Sequence, residues 1–215
     1  MRTLYSNNIS EHFSEKSYHF KKRNYIYLPE NIVQKIFFIH KGIIRIGYYN
    51  ENSENITKAI LFQGDIFGVL RLFHQEATYN YAEVMSSNAE IASMSQADFF
   101  QKINTDESFN LFVLQTISYR LIQLERRWAL LSSMPTRRRL LSFILEMGLK
   151  QGKKVGFDTM IENPFTHQEI GDIIGASRQT VTTTFNELKE QNIIYYNRKK
   201  ILIRDLKKLK QMFSK

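Results

Sequence analysis

Apolar positions follow three rhythms along this chain, and each rhythm predicts a different kind of element. Between residue 24 and about residue 100 they come in short aromatic or β-branched runs: Tyr25-Ile26-Tyr27-Leu28, Ile36-Phe37-Phe38-Ile39, Ile43-Ile44-Arg45-Ile46-Gly47-Tyr48-Tyr49 and Ile56 to Phe62. Such residues suit a pleated, half-buried surface and predict β-strands. Turn-forming clusters at Pro29-Glu30-Asn31, Lys41-Gly42, Asn50-Glu51-Asn52-Ser53 and Gln63-Gly64-Asp65 separate them. Many short strands at that spacing predict an antiparallel sandwich or barrel. Glycines bracket one short run, Gly64-Asp65-Ile66-Phe67-Gly68, where the backbone is free to approach a ligand or a neighbouring strand.

The second rhythm occupies residues 107–132. Leu114, Ile117, Leu121, Leu124, Trp128 and Leu131 recur at alternating steps of three and four, an unbroken a/d seam. It predicts a long helix that pairs with a copy of itself; a helix lying on its own barrel is the alternative. Arg120 then falls at a g position and Glu125 at an e position, so an ion pair between Arg120 and the partner's Glu125 is expected across a parallel seam. Ser132-Ser133-Met134-Pro135 ends the helix and reads as a hinge.

The third rhythm is that of short helices with one apolar face. Thr136 to Lys150 turns Leu140, Leu141, Ile144 and Leu145 inward and Arg137, Arg138 and Arg139 toward solvent or phosphate. Thr166 and Glu169 then form a capping-box pattern ahead of a helix faced by Ile170, Ile173 and Ile174. Gly175 permits a tight bend, and Ser177 caps a second helix with Val181, Phe185 and Leu188 inside and Arg178, Gln179, Thr182 and Thr183 outside. This is a helix-turn-helix with a polar reading tip. Ile193 to Tyr196 and Ile201 to Ile203 flank Asn197-Arg198-Lys199-Lys200, a basic-tipped hairpin or wing. The expected DNA contacts are Thr166, His167, Ser177, Arg178, Gln179, Thr180, Thr182 and Thr183, with Lys199 and Lys200 on phosphates.

Charge sharpens this. The 215-residue chain is net +9, and divided after Met134 it is lopsided: residues 135–215 hold 16 Lys/Arg against 8 Asp/Glu, residues 1–134 hold 14 against 13. The excess positive charge accompanies the helix-turn-helix, as phosphate contact requires. With no cysteine there are no disulfides, thiolate zinc sites or cysteine-held iron–sulfur clusters. The five histidines (His12, His19, His40, His74, His167) are scattered singly, so no metal site is expected. No nucleophile elbow, P-loop or Rossmann glycine pattern points to an enzyme. The first residues lack a hydrophobic signal core, and no apolar run approaches the roughly 20 residues that span a bilayer. The expected location is bacterial cytoplasm or plastid stroma.

Barrel, Gly-Asp-Ile-Phe-Gly, seam helix and winged helix-turn-helix, in this order, resemble the Crp/Fnr family of transcription regulators. The resemblance implies an α+β chain: an antiparallel jelly-roll (double-stranded β-helix) sensor domain over residues 1–106, a dimerisation helix and hinge over 107–134, and a winged helix-turn-helix DNA-binding domain over 135–215. It also implies a homodimer on a palindromic site and RNA polymerase as a partner. The family's cyclic AMP sensors carry a Glu just after the loop glycine and an Arg-Ser pair about a dozen residues on; here those places read Val69 and Tyr79-Asn80, so cyclic AMP is not the expected effector. Within the family, Phe67-Gly68-Val69-Leu70 and Arg120-Leu121-Ile122-Gln123-Leu124-Glu125 are similar to the nitrogen-regulator (NtcA) branch of cyanobacteria and some algal plastids. That branch binds 2-oxoglutarate through the loop, a barrel arginine, and an arginine and a glutamate on the seam helix. By motif match the effector positions are Phe67, Gly68, Val69, Leu70, Arg120 and Glu125, with Asn80 beside them, since Tyr79 or Asn80 occupies the place of the barrel arginine. Arg178 matches the family's arginine at the start of the reading helix, while Gln179 stands for its frequent Glu and Thr183 for a later base-reading arginine.

Overall fold

The computed structural model describes residues 13, 17–29, 31, 34–73, 79–197 and 199–214. Glu30, His12, His74 and Arg198, which figure in the expectations above, lie outside these residues. The chain forms two compact units, one up to Leu124 and one from Glu125.

The first unit is built on two four-stranded antiparallel sheets. One has the order β1-β8-β3-β6, with β1 Ser17–Lys21, β8 Asn88–Ser95, β3 Lys35–Lys41 and β6 Ile66–Phe67. The other has the order β2-β7-β4-β5, with β2 Tyr25–Tyr27, β7 Tyr81–Val84, β4 Ile44–Tyr49 and β5 Asn55–Leu61. The four runs singled out by their composition are β2 to β5. The unbroken apolar run Ile36-Phe37-Phe38-Ile39 has a simple cause, because β3 is covered on both faces. Phe37 and Ile39 join Tyr27, Ile44, Leu61, Phe67, Ala82 and Val84 in one core. Ile36 and Phe38 join Ile66, Met94, Phe99, Phe109 and Val113 in the other. The second core is closed by helices α2 (Gln96–Thr105) and α3 (Glu107–Ser133), while α1 is the short helix Val69–Phe73.

Charge is buried in the second sheet. Arg45 on β4 stands directly opposite Glu83 on β7. The two are 4% and 2% exposed, and the Arg45 Nε and Nη2 both donate to Glu83 Oε2. The Arg23 Nη1 donates to the other carboxylate oxygen at 3.0 Å.

Helix α3 has 27 residues, about 40 Å at the usual rise. Asp106 starts it by accepting the Phe109 amide at 3.0 Å. Ser132 and Ser133 bond back to the carbonyls of Trp128 and Ala129, and Pro135, without an amide proton, cannot continue the helix. Its inner face carries Phe109 and Val113, both buried. The seam residues Leu114, Ile117, Leu121, Leu124, Trp128 and Leu131 lie on another face and are all exposed, Leu121 by 57% and Trp128 by 75%. The helix therefore packs on its own unit by one face and leaves the a/d seam bare.

The break at 132–135 is real, but the compact units divide earlier, after Leu124. The last turns of α3 pack within the second unit: Arg127 Nη2 donates to Ile173 O at 3.0 Å, and the Leu131 Cδ2 lies 3.1 Å from where a Gly175 side chain would begin.

That second unit holds α4 (Thr136–Gln151), α5 (His167–Ile174), α6 (Arg178–Glu190) and α7 (Leu206–Ser214) around a sheet of order β11-β12-β10-β9. Strands β11 (Ile194–Tyr196) and β12 (Lys200–Ile203) form the wing, and β12 also pairs with β10 (Asp158–Glu162), which pairs with β9 (Lys153–Val155). Leu140, Leu141 and Ile144 of α4 are buried as expected and Leu145 is half-buried. Arg139 corrects its expected outward position. It lies half-buried, with Nη2 bonded to Thr136 Oγ1 at 2.9 Å and Nη1 3.0 Å from the Gly175 side-chain position, because the helix-turn-helix bend packs over it.

Candidate nucleic-acid interface and effector site

The helix-turn-helix is built by its caps. Thr166 Oγ1 accepts the Glu169 amide at 3.2 Å, and the Glu169 carboxylate accepts the Thr166 amide at 2.8 Å. Two of the orphan amides at the start of α5 are thus satisfied by side chains. At the other end Gly175 sits at φ 66°, a left-handed cap that side-chain-bearing residues adopt at a cost. Ser177 Oγ then accepts the Thr180 amide at 3.0 Å and starts α6. Val181, Phe185 and Leu188 are buried beneath it.

This leaves Ser177, Arg178, Gln179, Thr180 and Thr183 exposed at and after the start of α6. Thr166 is exposed too, although its hydroxyl is held in the cap. His167 and Thr182 are different from expectation. Thr182 Oγ1 donates to Arg178 O at 2.9 Å, so the 2.8 Å contact with His167 Nδ1 requires the histidine to be the donor. The imidazole stacks on Phe185 at 5.0 Å and lies 5.6 Å from the Tyr196 ring. Burial, and then the Arg178 cation, hold its pKa below the ordinary value. His167 and Thr182 lock α5 to α6, and that bond orients the reading helix from behind. At the wing, Asn197 Oδ1 accepts the amides of Lys199 and Lys200, both at 2.9 Å, and both lysines are exposed.

The sensor unit holds the other candidate site. Phe67 is buried and stacks on Phe37 at 5.0 Å, with the Tyr27 ring 6.2 Å away. Gly68 lies at φ 94°, and a side chain there would begin 2.6 Å from Lys35 O. The close approach that the bracketing glycines permit is thus to the neighbouring strand β3. Val69 is buried and Leu70 is exposed. Arg120 does not stand at the seam edge for an ion pair with the partner's Glu125. Its Nη2 donates to Ile66 O at 2.6 Å, because the g position of this helix faces the helix's own sheet. Glu125 is exposed.

One residue escaped the sequence reading. Arg71 Nη1 donates to Asn80 O at 3.1 Å, Nη2 to Asn31 O, and the guanidinium lies 4.5 Å from the centre of the Tyr27 ring. A cation thus reaches Asn80 from α1, although positions 79 and 80 carry none themselves. The signal was an arginine directly after the Phe67 to Leu70 loop, but its contacts are far apart in sequence and no motif marks them.

Among the described residues, no group of three or more histidines and carboxylates is placed to hold a metal ion, and no helix is long and apolar enough to cross a membrane. Comparison with known proteins decides the family. A profile for the cyclic nucleotide-binding domain matches residues 18–106, and one for the Crp-like helix-turn-helix domain matches residues 138–212. The global nitrogen regulator of Synechocystis sp. is 29% identical over 196 residues, covering 91% of this chain and 87% of that protein. The chain belongs to the Crp/Fnr family of transcription regulators. The cAMP-activated global regulator CRP of Haemophilus influenzae is 23% identical over 168 residues, covering 78% of this chain and 75% of that one. The structure of FixK2 from Bradyrhizobium japonicum shares the fold, with a TM-score of 0.78 at 18% identity over 91% of this chain and 96% of that chain.

A Crp/Fnr regulator is a DNA-binding protein and not an enzyme, which gives the exposed tip of α6 its role. Arg178→Ala is expected to weaken specific binding by about 1–3 kcal/mol per half-site by losing a bidentate base contact. Lys199→Ala and Lys200→Ala should instead weaken all sequences alike and each lower the salt slope by about one. Gel shifts of specific and random duplexes over a salt series separate the two effects. Equal loss on both duplexes for Arg178→Ala would mean that this side chain reads no base.

Proposed function

We propose that this protein acts as a homodimer that binds a palindromic DNA site, contacts RNA polymerase and regulates nitrogen-related genes. The bare seam on α3 carries the reading: six large apolar side chains at heptad spacing are exposed while another face of the same helix is packed. Pairing two copies along that seam removes them from water and presents two reading helices to one face of the duplex, about 34 Å apart. The nitrogen assignment draws on the similarity to the global nitrogen regulators named above. Gln179 and Thr183, exposed on the reading helix, should give a half-site different from that of its relatives.

The effector proposed is a small molecule in the sensor unit, 2-oxoglutarate rather than cyclic AMP, because Val69 offers no carboxylate for a ribose hydroxyl. A regulator with another small effector, or none, is the alternative favoured by Asn80 standing where the family's barrel arginine is expected. No iron–sulfur cluster is involved. Binding-site selection from a randomised palindromic library, with sedimentation of the free protein, tests the core of this reading. A two-fold symmetric consensus bound by a dimer is expected; a monomer in solution or binding without sequence preference would overturn it.

A further inference from the structure

The reading head carries a titratable side chain whose first proton is assigned by the fold. His167 opens α5, and its ring bridges three elements. Nδ1 lies 2.8 Å from Thr182 Oγ1 on α6, the ring stacks on Phe185 of that helix, and the Tyr196 ring of β11 is 5.6 Å away. Thr182 has one hydroxyl proton, and Arg178 O takes it at 2.9 Å. A bare Nδ1 would meet only lone pairs there, so the neutral ring keeps its proton on Nδ1. Nε2 is then an acceptor. Among the described residues it bonds nothing, yet it is not sealed from water.

In a helix-turn-helix the first helix crosses the sugar–phosphate backbone while the second enters the groove. The start of α5 suits that task. Thr166 Oγ1 takes the Glu169 amide, and the first bond within the helix comes from Ile170. The amides of His167 and Gln168 stand ahead of that bond, at the positive end of the helix. The lone pair on Nε2 is the misfit, because a phosphate oxygen only accepts. A second proton, on Nε2, turns the ring into a charged donor. In the free protein that proton is resisted: burial, and then the Arg178 cation on α6, hold the pKa below its ordinary value. Tyr196 on β11 is uncharged and donates to Asn186 Oδ1 at 2.7 Å. The α5 carboxylates of Glu169 and Asp172 are engaged with Thr166 and Gln168. A phosphate beside His167 and Arg178 reverses the balance, since it attracts both cations.

We propose that His167 makes a pH-dependent contact to a DNA phosphate: protonated at Nε2 it grips the backbone, and neutral it serves only as a strut between α5 and α6. This rests on the reading of α5 and α6 as the DNA face. Its sign follows from linkage: DNA favours the protonated ring, so binding takes up a proton and tightens as pH falls.

The test is the affinity of the full-length protein for its selected DNA site at fixed salt, from about pH 8 to about pH 5.5, the span in which an imidazole titrates. The wild type should tighten by about tenfold on a palindrome, with two half-sites each gaining one charge-assisted contact. Calorimetry in two buffers of unequal ionisation enthalpy should show uptake of up to about one proton per half-site. His167→Gln cannot titrate and should remove both the rise and the uptake. Thr182→Val removes the acceptor that holds the proton on Nδ1. The neutral ring can then carry it on Nε2, so binding at about pH 8 should improve and the rise should shrink to under about threefold. Urea unfolding shows that each variant is folded at both ends of the range. A purely structural His167 would instead lower affinity equally at every pH in His167→Gln. That result, a flat wild-type profile, or a full rise kept in folded His167→Gln or Thr182→Val would each overturn the proposal. Specific binding with a flat profile sinks the contact and leaves the regulator reading standing; no specific binding at any pH sinks both.

Discussion

Glu83→Ala is expected to destabilise the sensor unit by about 3–5 kcal/mol, the usual cost of leaving one member of a buried ion pair without its partner. Glu83 is 2% exposed and Arg45 4%, so after the substitution the Arg45 guanidinium stays enclosed with its charge unmatched. The Tyr81 ring lies 5.8 Å from that guanidinium and offers only a weak replacement. Arg23, 48% exposed at its side chain, turns to water at little expense. Removing both charges is a different experiment. Arg45→Met with Glu83→Leu fills the same space with apolar groups and should fall within about 1–2 kcal/mol of the wild type, because pair attraction and desolvation nearly cancel. Urea unfolding of the single and double variants measures the contrast. A loss under 1 kcal/mol for Glu83→Ala would show that water reaches Arg45 and that the pair is not closed off.

This buried pair also marks a limit of the sequence. Arg45 interrupts an otherwise apolar run, and nothing local says that Glu83 will stand opposite it, because the register of β4 against β7 is a long-range fact. Local chemistry read well. The capping box at Thr166 and Glu169, the left-handed Gly175 and the Ser177 cap all involve neighbours within a few residues, so spacing alone defines them. The seam was legible for the same reason, its period being a property of one helix. Arg120 was misassigned because heptad register gives an angle around the helix and not what lies at that angle; here it is the carbonyl of Ile66. Strand β9 is three exposed residues, Lys153–Val155, with no pattern to detect. Strand β8 is rich in alanine and serine, poor strand formers that become a strand through the two strands flanking it. Arg71 was missed most consequentially, since Asn31, Tyr27 and Asn80 meet it only in the folded unit.

Leu121→Glu combined with Leu124→Glu should abolish the dimer and, with it, specific DNA binding. Both side chains are more than half exposed in the single chain, Leu121 by 57% and Leu124 by 54%, so neither supports the cores of the sensor unit. The substitutions should therefore leave the folded chain intact, which separates this experiment from one on Phe109 or Val113. In a paired seam each buried leucine contributes about 1.5–3 kcal/mol. Two-fold symmetry doubles the count, and the four glutamates brought together would repel one another without water. A dimer affinity weakened by more than a thousandfold follows. Arg178 and its neighbours remain exposed on each separate chain, but one reading helix meets only one half-site, and the advantage of binding both at once disappears. A fall of more than a hundredfold on the palindrome is expected. Gln115→Glu, one residue past Leu114 and off the seam, adds a charge to the same helix and should change neither quantity. Sedimentation and gel shift on a full palindrome and a single half-site read both outcomes. A double variant that still sediments as a dimer would place the interface on another surface and leave the exposed seam without a partner.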